Sequence, residues 1–115
     1  MTKCDNDLSF RGNMGLQTDY ADRELDQFIA ARVMEKKGAL PFTADITRAW
    51  LVVERMMRKY HCELKMDMFL GVSGELWVVS FYSPRKCKRY ESRAKTAPLA
   101  ICRAAKEAYL DLAGG

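Results

Sequence analysis

"HCELKMDMFLGVSGELWVVSFY", residues 61–82, is where the period of the chain changes. Its first half alternates Cys62, Leu64, Met66, Met68 and Leu70 against Glu63, Lys65 and Asp67, the pattern of a strand with one buried face. Its second half carries Leu76, Val78, Ser80 and Tyr82 on one side and Trp77, Val79 and Phe81 on the other. Between them "GVSG", residues 71–74, has the length and the glycines of a tight turn, so the pair reads as an antiparallel hairpin. The return strand is apolar on both sides, which places it centrally in a sheet or under cover on both faces.

Upstream the period is that of a helix. In "TADITRAWLVVERMMRKY", residues 43–60, one stripe holds Ile46, Trp50, Val53, Met57 and Tyr60, and Ala49, Val52 and Met56 widen it. That spacing puts Trp50 in the core, as the hairpin puts Trp77. Thr43 is the expected cap, Asp45 lies in the first turn, and Arg58 and Lys59 close the far end. Before it, "DRELDQFIAARVMEKK", residues 22–37, is an earlier helix on Leu25, Phe28, Ile29 and Val33. Acidic residues crowd its first turn, Lys36 and Lys37 its last, and Gly38 ends it. Pro41 then keeps Leu40 out of the helical region.

Downstream, "TAPLAICRAAKEAYLDLAGG", residues 96–115, opens with Thr96 as cap and Pro98 in the first turn, and closes on Gly114 and Gly115. Leu99, Cys102, Ala105, Tyr109 and Leu112 form its stripe, while Ala100, Ala104 and Ala108 permit close approach to a sheet. The order is helix, helix, hairpin, helix: one α+β domain over residues 20–115. Residues 1–19 form a polar lead-in broken by Gly12, Asn13 and Gly15, either disordered or packed on the domain as an arm.

The chain has 115 residues, enough for one domain, and an ordinary soluble composition with 49% hydrophobic and 30% charged residues. No apolar run approaches the ~20 residues that span a bilayer, and the N-terminus lacks an apolar secretory stretch. A cytoplasmic protein without a membrane partner is the expectation. Cys4, Cys62, Cys87 and Cys102 stand far apart, without the close ligand pairs of a zinc site, so free thiols and no cofactor are expected.

Chemistry is sparse. The single histidine, His61, sits at the junction of the second helix and the first strand, where helix-end placement explains it without catalysis. No phosphate-binding glycine loop occurs. The chain reads as a non-enzyme. The net charge of +4 is uneven, however: Arg85, Lys86, Lys88, Arg89, Arg93 and Lys95 face only Glu91, so this segment carries +5 and the rest of the chain −1. Read as a basic loop between the last strand and the last helix, it offers phosphate contacts, with Tyr82 and Tyr90 able to stack on bases. The same cations suit an acidic surface on another protein, with Tyr90 as anchor. A third reading is a solvated crossover whose lysines keep the sheet edge from aggregating. An exposed edge also allows a homodimer across a two-fold axis.

Four stretches together, "RELDQFIAARVM", "FTADITRAWLVVERM", "LWVVSFY" and "AKTAPLAICRAAKEA", resemble the phage ABA-sandwich domain family over about residues 23–110. The resemblance implies an α/β/α sandwich of helices around a small antiparallel sheet, a phage origin, and a bacterial host cell. It carries no catalytic motif to transfer. The expected role is a small binding protein: nucleic-acid-associated through the basic loop, or an inhibitor of a host protein, such as an anti-defence factor.

Overall fold

The computed structural model describes residues 22–38 and 40–113, so the lead-in, Cys4, Gly114 and Gly115 lie outside the described residues. Helix α1, Arg23–Phe28, is capped by Asp22, whose side chain accepts the Leu25 N–H at 3.0 Å. It runs directly into a wider π turn, Ile29–Val33, closed by the Met34 N–H on the Ile29 carbonyl at 2.8 Å. The helical stretch therefore stops short of Lys36 and Lys37. Glu35 takes a left-handed conformation (φ 56°) ahead of Gly38, which shares it (φ 77°).

Helix α2, Ile46–Lys59, begins two residues later than expected, because Asp45 and not Thr43 is its cap: Asp45 Oδ1 accepts the Thr47 N–H at 2.9 Å. Thr43 is buried and stitches the two helices together. Its Oγ1 accepts the Asp22 N–H at 2.8 Å, and its own N–H donates to the buried Asp26 carboxylate at 2.8 Å. The inward arc of α2 is Ala49, Val52, Val53 and Met56. Trp50 is corrected from the core to the surface at 48% exposure, and Ile46 and Met57 of the same helix are exposed with it. The arc is narrow because α2 meets α3, whose own surface is mostly alanine, so only the residues nearest the contact line are covered.

Strands β1 (Glu63–Gly71), β2 (Gly74–Ser83) and β3 (Lys88–Ala94) form an antiparallel sheet in the order β1-β2-β3. Gly71 pairs with Gly74 across a two-residue turn, as the hairpin pattern requires. The return strand is apolar on both sides because it is central. Strand β3 corrects the reading of residues 85–95 as a basic loop: the four-residue turn Pro84–Cys87 leads straight back into the sheet. Tyr90, Ser92 and Ala94 pair with Phe81, Val79 and Trp77, so the charged stretch carries a strand period beneath its cations.

Helix α3, Ala97–Leu112, lies on the face of the sheet that presents Val79, Phe81, Tyr90 and Ala94, and it is covered on its other side by α2 and the α1 segment. Leu99, Ile101, Cys102, Ala100, Ala104, Ala105 and Ala108 are all buried. A helix enclosed on both sides needs small residues where backbones come close, which is the reason for its alanines. Among the described residues no helix packs on the opposite face of the sheet. That face is the surface on which function has to be sought.

Candidate functional site

The seven residues expected to bind do not form one patch. Arg85 is exposed in the turn and has no ion pair among the described residues. Lys86 and Lys88 turn toward the end of α3, where their ammonium groups lie 3.4 and 3.3 Å from the two carboxylate oxygens of Asp111. Lys86 Nζ also reaches the Asp111 backbone carbonyl at 3.0 Å, which places a cation at the negative end of the helix. Tyr90 is buried under α3 and donates its hydroxyl to Asp111 Oδ2 at 2.5 Å. Burial, then this hydrogen bond, pushes the Tyr90 phenol well above its usual range, and the Asp111 carboxyl is held below its own by Tyr90 first and Lys88 second. This cluster is a structural latch. Tyr90 has no face left to stack on a base.

Arg89 and Arg93 point to the open face of the sheet. The Arg89 guanidinium donates to Ser80 Oγ at 2.9 Å and lies 5.3 Å from the centre of the Tyr82 ring. Arg93 pairs with Glu91 at 3.5 Å, and its carbonyl accepts from Arg103 at 2.9 Å. Lys95 stands exposed beyond the end of β3. In register, the open face reads Glu63–Tyr82–Arg89, Lys65–Ser80–Glu91 and Asp67–Val78–Arg93 from β1 across β2 to β3. Each row sets opposite charges on either side of a less polar centre. The face as a whole is charge-balanced, unlike the segment from which it is partly built.

Further along the same face the rows become apolar. Phe69, 57% exposed, pairs with Leu76, and beyond it Leu70 (77%) and the fully exposed Val72 form the tip of the hairpin. On the open face Phe69 and Leu76 continue the line of Val78 and Tyr82 past the charged rows. Leu70 by alternation lies on the opposite face with Met66 and Met68, so the hairpin tip is apolar on both sides. The alternation named their positions, but single-strand periodicity does not say how far a covering helix extends. Only the helix lengths, and the position of α3 over β2 and β3, leave the tip bare.

His61 is exposed at the end of α2 in a left-handed conformation (φ 57°). It lines no part of the shallow cleft bounded by Asp22, Glu24, Ser92, Arg103, Lys106 and Glu107. Among the described residues no group of three or more histidine, cysteine or carboxylate side chains converges on a possible metal position. Cys62 and Cys102 are buried with their thiols pushed up by burial, Cys62 to about 11, while Cys87 is exposed in the β2–β3 turn. No described helix is long and apolar enough to cross a membrane.

Comparison with known proteins agrees with this architecture. The family model described as the Phage ABA sandwich domain matches residues 26–106. No curated protein matches the chain. The fold is similar to the 2.0 Å crystal structure of a phage protein from Bacillus cereus ATCC 14579, with a TM-score of 0.62 and 22% identity over 87% of this chain and 98% of that one. At that identity the likeness speaks for the fold.

Proposed function

The chain belongs to the Phage ABA sandwich domain family, and on that premise we propose that it is a non-catalytic module that binds another protein through the open face and tip of the β1–β2 hairpin. The observation that carries this reading is the run of exposed apolar residues Phe69, Leu70 and Val72 beside charge-balanced rows. An exposed apolar tip flanked by polar rows offers an interface its apolar contact and part of its polar rim, and a few aromatic anchors dominate the energy of such interfaces. Docking on a host protein in the bacterial cytoplasm, as an inhibitor of a defence factor would, fits this surface.

Nucleic-acid binding draws less support from the geometry. Phosphate binding scales with the number of free cations brought together. Lys86 and Lys88 are paired with Asp111, Arg93 with Glu91, and Arg89 is held over Tyr82. The test is a salt titration of binding to labelled single- and double-stranded DNA and RNA, with wild type beside the Arg85→Ser/Arg89→Ser variant. The expected result is no micromolar binding by either. Micromolar binding that falls steeply with salt and is lost in the variant would replace the protein-binding reading with the nucleic-acid one.

A further inference from the structure

Strand β1 is an edge, and among the described residues nothing pairs with its outer side. The two-residue turn Val72–Ser73 makes Gly71 and Gly74 the closing hydrogen-bonded pair. Because ladder bonds alternate, Leu64, Met66, Met68 and Leu70 turn their backbone N–H and C=O groups away from β2. Protein edges of this kind are ordinarily blunted by a proline, a bulge or an inward-facing charge. Strand β1 has none of these three over its nine residues, and its register with β2 is unbroken. The charges it does carry, Glu63, Lys65 and Asp67, lie on the open face and decide which register can pair.

We propose that this edge pairs antiparallel with the same edge of a second copy, about a two-fold axis at Met66. The charges on the open face select that register. An axis at Lys65 or at Asp67 would set the residue against its own symmetry mate, which is repulsive. An axis at Leu64 would overlap only residues 63–65 of the strand. An axis at Met68 would set Lys65 against Gly71 and Asp67 against Phe69, so that no opposite-charge pair forms. An axis at Met66 also meets Phe69 with a carboxylate, Glu63, but is the register that gains opposite-charge pairs. An axis at Met66 overlaps residues 63–69 and places Lys65 opposite Asp67 of the partner subunit, twice by symmetry. It also places Leu64 opposite Met68 of the partner subunit on the inner face, where Met68 is 46% exposed in one copy. Lys65 and Asp67 already lie side by side on one face at 3.9 Å, so pairing produces a square of alternating charge. The isologous product is a continuous six-stranded sheet, with the two hairpin tips at its opposite ends.

The test is sedimentation equilibrium of the full chain as wild type, Lys65→Glu, Asp67→Lys, and an equimolar mixture of the two variants. Both side chains are largely exposed, at 67% and 47%, so the variants keep the fold, checked by circular dichroism. The wild type is expected to dimerise in the micromolar range. Each variant sets like charges opposite each other twice and raises the dissociation constant by at least about tenfold. In the mixture the reversed positions face each other, so a heterodimer of near wild-type affinity forms. A wild type that stays monomeric to hundreds of micromolar, a dimer indifferent to both variants, or a mixture that does not recover would each overturn the proposal.

Discussion

The Tyr90 hydroxyl donates a 2.5 Å hydrogen bond to Asp111 Oδ2, joining the middle of β3 to the last turn of α3. Lys86 and Lys88 close on the same carboxylate, so the most basic segment of the chain is anchored at its centre by one acidic residue. The carboxyl is held below its ordinary range, first by Tyr90. A carboxylate lowered in the folded state stabilises the fold above its unfolded pKa, and that contribution is lost as the pH falls through the folded value. Removing the hydroxyl with Tyr90→Phe is expected to cost about 1 kcal/mol at pH 7. Urea denaturation at successively lower pH should show that cost shrinking as the pH falls below the ordinary carboxylate range and through the lowered folded value. A cost that stays constant down the whole acid series would assign the loss to packing alone.

His61 ends α2 at φ 57°, and the Cys62 N–H returns to the Met56 carbonyl at 3.2 Å. A left-handed residue after a helix is most favourable as glycine, since a β-carbon there costs about 1–2 kcal/mol, partly offset by glycine's greater freedom when unfolded. His61→Gly is therefore expected to stabilise the domain by about 0.5–1 kcal/mol, read from the midpoint of chemical denaturation. A destabilised His61→Gly would show that the imidazole makes contacts that matter.

Alkaline pH should weaken the fold. Burial raises the Cys62 thiol from 9.0 to about 11, so the folded state holds a proton that the unfolded chain releases. A group raised in this way contributes fully below its unfolded pKa and loses that contribution as the pH climbs to the folded value. Stability is expected to decline between pH 9 and 11, and Cys62→Ala should flatten the slope of a thermal-melting series across that window. An unchanged slope would place the sensitivity at Tyr90 and Cys102, whose groups are also raised by burial.

Much of the fold was legible because one physical rule dominates each element. The alternation in residues 63–70 and 75–82 requires strands, the glycines at 71 and 74 require a tight turn, and the alanines of α3 mark a helix approached closely from both sides. Strand β3 was hidden because its outward residues are Arg89, Glu91 and Arg93, whose charge drew attention from the inward Tyr90, Ser92 and Ala94. The core placement of Trp50 failed for a different reason. A helical stripe names the side that faces a neighbour, but the width of the neighbour decides how much of that side is covered. The site shows the same division. The cations were visible as a run in sequence, whereas their partners, Asp111 and Glu91, neutralise them only once helix and sheet are brought together.

The most direct test of protein binding through the hairpin is quantitative capture from a bacterial host lysate, comparing wild type with Phe69→Ser/Val72→Ser and with Arg85→Ser. Phe69 and Val72 are exposed, so their replacement leaves the core intact. Truncating a central anchor of an interface costs 2 kcal/mol or more, about thirtyfold in affinity. The predicted result is a defined captured protein that the hairpin variant loses at least about tenfold and the Arg85→Ser variant retains. Equal capture by wild type and the hairpin variant, or nucleic acid that only the Arg85→Ser variant loses, would contradict it.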